Sequence, residues 1–364
     1  MLPVLPRIPD VDKMIEGEFY FIIHAPRESG KTTYLQYLTK QINLSENYYA
    51  LYCSLEALDG IIDRNEAINE IIFQLHDSIV SSEIDKLIQL SLNYMPKQNL
   101  GSTTKIKSLL NYLCVNLDKE LILFFDEADC LAKDPLITFL RQIRLGYNTR
   151  ISGDNRLLFP KSMALIGSRD ISDYIKKSRP DEDSRGLASP FNIKKDALTL
   201  ANFTKDEIGF LYRRHTIASG QIFESEAVDR AWYWSKGQPW LVNALAYEIV
   251  VKILNNDYAK TITADLMDHA AEAIIKNRTT HIEYLKERLK EPRVIKVMDS
   301  VFAGATGFVL NKSDDRRYCL DLGLVVEDED NNLRPANAIY SEVMSRLLSD
   351  EIQLGLDATP MDKN

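Results

Sequence analysis

Phe19-Tyr-Phe-Ile-Ile-His-Ala-Pro-Arg-Glu-Ser-Gly-Lys-Thr-Thr33 decides the fold. A short apolar run, Phe19 to Ala25, leads through a polar turn into a stretch whose apolar residues Tyr34, Leu35, Leu38 and Ile42 fall on one helical face. Strand, tight loop and helix in that order are the context a phosphate-binding loop requires, and Ala25 to Thr32 fit G-x-x-x-x-G-K-[ST] with Ala25 at the first glycine. The departure amounts to one methyl group. Backbone N–H groups from Glu28 to Thr32 can wrap a β-phosphate at the positive end of the helix. Gly30 lets the backbone approach closely, Lys31 reaches the β- and γ-phosphates, and Thr32 offers a hydroxyl to Mg2+. Ala25, Pro26, Arg27, Glu28, Ser29, Gly30, Lys31, Thr32 and Thr33 are therefore the candidate nucleotide-binding residues. The bland alternative is a chance loop containing Gly-Lys-Thr.

Such a loop needs an acidic partner at the tip of another buried strand. Glu120-Leu-Ile-Leu-Phe-Phe-Asp-Glu127 supplies it. Asp126 is the candidate Mg2+ partner, and Glu127 the candidate catalytic acid that orients and polarises an attacking water. A solvated acidic turn is the alternative for this pair alone. The adjacent glutamate resembles the branch of P-loop ATPases in which an extra strand separates the lysine strand from the aspartate strand.

Further candidates follow along the chain. Met163-Ala-Leu-Ile-Gly-Ser-Arg-Asp170 ends a strand where ligands of parallel sheets collect, so Ser168 or Arg169 is a candidate γ-phosphate contact. A structural ion pair of Arg169 with Asp170 or Asp173 is the alternative. Arg141 and Arg144, three apart on a helix, share a face that a neighbouring subunit's nucleotide could meet; solvated arginines are the alternative. His24 has no visible partner, and packing against the helix is its default role. Gly237-Gln-Pro-Trp-Leu-Val242 is a turn that launches a helix, with Pro239 at its start; it either covers an adenine ring or simply starts the helix.

Outward from these motifs, the chain has 364 residues, which at roughly 100 to 200 per domain suggests two or three domains. With 45% hydrophobic and 27% charged residues the composition is globular, and a net charge of -9 excludes a molecule that is an electrostatic glove for nucleic acid as a whole. No apolar run behind a positive start is visible in the first thirty residues, so the reading is cytoplasmic, with no membrane contact. Cys53, Cys114, Cys130 and Cys319 form no C-x-x-C pair and read as buried free thiols.

Five apolar runs, Phe19 to Ala25, Tyr48 to Leu55, Glu120 to Phe125, Met163 to Gly167 and Ala197 to Leu200, alternate with amphipathic stretches. That pattern predicts an α/β domain, a parallel sheet with helices on both faces, over 1–202. A helical subdomain over 203–277 opens on a Thr204/Glu207 capping box. Over 278–350 helices precede two extended pieces, Tyr318 to Glu327 and Leu333 to Pro335, around a turn at Asp328 to Asn332, and a helix from Ala338 to Leu348 follows. This order fits a winged helix-turn-helix, with a loose tail over 351–364. Lys176 to Ser189, dense in charge, reads as a loop.

His24 to Thr33, Asp126-Glu127, Gly167-Ser-Arg-Asp170, Ser189-Pro-Phe-Asn192, Gly237-Gln-Pro-Trp-Leu241 and Asp321-Leu-Gly-Leu-Val325 together resemble prokaryotic AAA-like ATPases, related to the STAND and origin-recognition branches of AAA+ proteins. The resemblance extends to about Leu348. It implies ATP and Mg2+ as ligands, Gly30, Lys31 and Thr32 as phosphate and metal residues, Asp126 as metal partner and Glu127 as catalytic acid. It further implies Arg169 as a strand-end sensor arginine, Pro239 as a lining of the adenine pocket, and a nucleotide held between sheet domain and helical lid.

Three functions fit. The first is an ATP-hydrolysing switch, slow or stimulated by a partner, in which nucleotide state sets the arrangement of lid and winged helix. The second is ATP-licensed DNA binding, because Lys276 to Arg317 hold ten Lys/Arg against six Asp/Glu; residues 318–364, with three against ten, run the other way. The third is a pseudo-ATPase scaffold for a protein partner.

Overall fold

The computed structural model describes residues 7–94, 100–131, 133–151, 158–168, 194–277, 280–302 and 314–357. The chain divides into two compact units, one of Ile8–Ala25 and Lys31–Leu200, the other of Met1–Arg7, Pro26–Gly30 and Ala201–Asn364.

The first unit contains α1 (Val11–Glu16), β1 (Tyr20–His24), α2 (Lys31–Asn43), β2 (Tyr48–Ser54), α3 (Arg64–Ser81), α4 (Asp85–Tyr94), α5 (Lys105–Asn116), β3 (Glu120–Asp126), α6 (Lys133–Ile151), β4 (Ser162–Gly167) and β5 (Lys194–Thr199). Each expected strand is present. All pair in parallel, in the order β2-β3-β4-β1-β5. β4 thus lies between the lysine strand β1 and the aspartate strand β3, the insertion that the Asp126-Glu127 pair foretold. β1, β3 and β4 are apolar without alternation because both faces are covered: Phe21, Ile22, Phe124, Phe125, Ala164 and Leu165 are all buried. On one face Phe125 meets Phe139 of α6 edge to face, with centroids 5.2 Å apart. A buried polar group completes the layer, since Gln142 of α6 accepts from the first N–H groups of α5, Ile106 at 2.9 Å and Lys107 at 3.3 Å, and donates to the Ser102 carbonyl. It therefore caps a helix whose orphan donors would otherwise be buried unpaired.

The second unit holds α7 (Lys205–Ser219), α8 (Ser225–Ser235), α9 (Pro239–Tyr247), which runs on as a π turn over Glu248–Ile253, and α10 (Ala264–Lys276). α11 (Thr280–Leu289), α12 (Pro292–Phe302), α13 (Asp314–Asp321), the antiparallel hairpin β6 (Val325–Glu327) and β7 (Leu333–Pro335), and α14 (Ala338–Asp357) follow. The Thr204/Glu207 capping box forms as expected. Two expectations are corrected. Tyr318 to Asp321 belong to a helix rather than an extended piece: Tyr318, Cys319 and Leu322 bury one helical face, and the Tyr318 hydroxyl donates to Glu291. The closing helix also runs on past Leu348 to Asp357. The stretches 176–189 and 189–192 lie outside the described residues. Among the described residues no helix is long and apolar enough to cross a membrane.

One buried histidine gives this unit a pH signature. His281 lies flat against Trp240, centroids 4.6 Å apart, with its Nε2 2.6 Å from the Tyr340 hydroxyl. Burial pulls its pKa down to about 4. In the unfolded chain the ring titrates near 6.5, so the stability of the neutral form is full above that pH and declines as pH falls toward about 4. The linkage amounts to roughly 3 kcal/mol. Urea unfolding of wild type and His281→Phe should therefore show a stability gap that narrows steadily on acidification through this window. Parallel pH curves for the two proteins would refute the linkage.

Candidate functional site

The loop after β1 is built as a cradle. Ala25 is buried, donates its N–H to the Gly167 carbonyl at 3.3 Å, and is absent from the residues of positive φ, so its methyl group costs no backbone strain. The left-handed conformations fall later, at Glu28 (φ 60°) and Gly30 (φ 78°). Such conformations turn successive N–H groups toward one concave side. α2 starts at Lys31, which is 7% exposed and donates from Nζ to the Ala25 carbonyl at 3.0 Å. The buried Ser29 hydroxyl has no hydrogen-bond partner among the described residues.

Across the sheet, β3 delivers Asp126 and Glu127 to the same edge. Asp126 is 0% exposed. Its Oδ2 accepts from the Thr32 hydroxyl at 2.9 Å and from the Tyr52 hydroxyl at 2.8 Å, and its Oδ1 from the Glu127 N–H at 3.0 Å. The predicted pair Thr32 and Asp126 is thus brought into direct contact. Tyr52, in β2 beside Phe124 of β3, went unnoticed in the sequence because it sits inside an apolar run. Burial, and then the neighbouring Asp126, push its phenol up, so it stays a donor. Two hard oxygen groups side by side fit Mg2+, which is completed by phosphate oxygens and water rather than by a protein cage. Among the described residues there is no cluster of three or more His, Cys, Asp or Glu that could hold a metal ion by protein groups alone.

Glu127 adopts φ 53°, a conformation rare for a glutamate and costly unless the surroundings impose it. Partial burial raises its pKa, Lys31 opposes that, and Asp126, Asp129 and Glu56 add to it. A carboxylate desolvated beside a lysine suits a general base.

Other candidates fare differently. Ser168 is committed to Asp129, donating from N–H at 3.2 Å and from its hydroxyl at 2.6 Å to Oδ2. Arg169, with Asp170 and Asp173, lies outside the described residues. Arg141 is exposed and Arg144 half-buried on α6. His24, expected to have only packing partners, bonds through Nε2 to the Thr199 hydroxyl of β5 at 3.0 Å.

Pro26–Gly30 group with the second unit. There Gln238 caps α9, accepting from Leu241 N–H at 2.6 Å while its Nε2 donates to the Glu28 carbonyl at 3.2 Å. Pro239 takes the first helical position. Gly237 (φ 75°) cannot be replaced without strain, since a Cβ there would run into the Phe203 carbonyl. Arg7 donates to the Ser29 carbonyl at 2.9 Å and to the Ala201 carbonyl, and stacks on Phe203. Arg27 lies over the Tyr284 ring at 5.1 Å, and a Cβ at Gly323 would run into the Pro26 ring. Sequence reasoning had given no role to Arg7, Gln238 or Tyr284; only the Gly-Gln-Pro turn carried a signal.

Sheet order, loop and acidic strand tip define a P-loop fold of the AAA+ type. The chain belongs to the AAA-like domain family, whose model matches residues 15–346. Among solved structures it is similar to a Walker-type ATPase of Pyrococcus abyssi, at 16% identity over 92% of this chain and 93% of that one, with a TM-score of 0.57. It is also similar to the ORC2 protein of Aeropyrum pernix, at 12% identity over 96% and 92% of the two chains (TM-score 0.47). The RuvB Holliday junction branch migration motor of Thermotoga maritima matches at 14% identity over 92% and 90% (TM-score 0.45). At these identities the first likeness shows the fold alone, and the other two add nothing to it. No curated protein matches the chain.

Proposed function

We propose that the chain binds ATP with Mg2+ and hydrolyses it, and that the helices after Ala201 read its nucleotide state. The observation that carries this reading is the Asp126 carboxylate, buried and bonded to the Thr32 hydroxyl, with Glu127 next to it and Lys31 at the start of α2. The cation, when bound, would neutralise charge on the β- and γ-phosphates. Lys31 would exchange the Ala25 carbonyl for phosphate oxygens, and Glu127 would orient a water and accept its proton. The Pyrococcus relative is called a Walker-type ATPase, and the family is described as an AAA-like domain.

A switch needs contacts that differ between states. Gln238 on Glu28, Tyr284 beneath Arg27 and the Gly323 turn against Pro26 tie the loop to α9, α11 and the α13–β6 turn. Any change in the loop backbone on phosphate binding would be passed directly to those groups. We read 1–202 as the ATPase domain, 203–277 as a lid with Pro239 toward the adenine, and 278–350 as a winged helix of the STAND type. Arg169 is the proposed sensor, and Arg141 and Arg144 the side chains a second copy's nucleotide would meet. Hydrogen exchange at α11 and α13 should differ between ATP- and ADP-loaded protein; identical exchange in both would contradict the switch.

The DNA reading is weakened by ion pairing. Of the basic residues from Lys276 to Arg317, each described one has a carboxylate partner: Lys276 with Glu272, Lys286 with Glu283, Arg288 with Glu291, Lys290 with Glu287, Arg293 and Lys296 with Asp315, Arg316 with Glu327 and Arg317 with Asp321. The hairpin turn itself carries Asp328, Glu329 and Asp330, which would repel a phosphate backbone.

A further inference from the structure

Three donors converge on Asp126. Two belong to the loop and to the strand's own backbone, Thr32 Oγ1 and Glu127 N–H; the third comes from a different strand, the Tyr52 hydroxyl of β2 at 2.8 Å. A Mg2+ ion that keeps most of its waters is held through hydrogen bonds from those waters to a carboxylate, so its affinity depends on where the carboxylate's lone pairs point. Thr32 spends its one proton on Asp126 and keeps both lone pairs for a cation, so this bond persists when the metal binds. The Tyr52 bond is independent of the loop, because it comes from β2, whose backbone is paired along its length with β3. Asp126 and Tyr52 are part of the same sheet, so backbone pairing sets their relative placement, and the hydroxyl bond helps orient the carboxylate with no ligand bound.

We propose that Tyr52 is a positioning residue for the divalent cation, holding Asp126 in the orientation that receives metal-bound water; this rests on the ATP and Mg2+ reading above. Outer groups that orient metal ligands commonly carry a 10- to 100-fold effect, roughly, on metal affinity. Tyr52→Phe removes one hydroxyl and leaves the ring.

The test is calorimetric titration of wild type and Tyr52→Phe with a slowly hydrolysed ATP analogue, first with Mg2+ chelated and then across a Mg2+ series. The expected result is metal-free affinity within about twofold of wild type and a Mg2+ half-point raised by roughly tenfold or more. A half-point equal to wild type, with analogue uptake intact, overturns the assignment and leaves the nucleotide reading standing. Lost metal-free uptake in the variant also overturns it, because that marks a role in the fold. Failure of wild type to take up the analogue removes both.

Discussion

Lys31→Ala is expected to abolish measurable ATP binding. Lys31 is nearly buried and already donates within the loop, to the Ala25 carbonyl that closes the cradle. Its partners in the bound state would be phosphate oxygens, where each charge-assisted hydrogen bond contributes about 1.5–3 kcal/mol. Two such bonds correspond to a loss of at least about 100-fold in affinity. The truncation also leaves Glu127 and Asp126 facing the nucleotide without a compensating charge, which adds repulsion to the lost attraction. Equilibrium binding of a fluorescent ATP analogue to the variant reads this directly, and affinity within a few fold of wild type would mean that the loop does not hold phosphate.

Glu127→Gln separates binding from chemistry. The amide keeps the size of the side chain and its left-handed backbone position but cannot take a proton from water. Binding should persist, and single-turnover hydrolysis should fall by roughly 10^2- to 10^4-fold, the range over which a positioned general base acts. Full turnover in this variant would remove Glu127 from the mechanism. Turnover absent even from wild type would favour the scaffold reading over the enzyme.

The sheet was legible for a physical reason. Strands buried on both faces, such as Ile122 to Phe125, need unbroken apolar runs, and those stand out from the helical periodicity around them. The loop and the acidic tip were legible because phosphate and metal chemistry fixes residue types at fixed spacing. Contacts between strands are another matter. Tyr52 reads as one more aromatic in an apolar run, and only the register of β2 on β3 brings its hydroxyl to Asp126. The bond of His24 to Thr199 depends in the same way on β5 taking the edge beside β1. Tyr318 to Asp321 misled because aromatic and apolar residues near a hairpin suggest a strand, whereas burial of Tyr318, Cys319 and Leu322 on one side selects a helix. The pairing of the basic residues on α11 and α12 was hidden for a related reason: a charge count over a segment does not see partners that lie a helical turn away or on another element.

On the proposed function, a nucleoside triphosphate and Mg2+ meet at Lys31, Thr32 and Asp126. Isothermal calorimetry of the purified chain with ATP, run with and without Mg2+, tests it most directly. Saturable uptake near one nucleotide per chain is expected, strengthened by Mg2+ and absent in Lys31→Ala. Flat titrations of the wild-type chain under both conditions would contradict it.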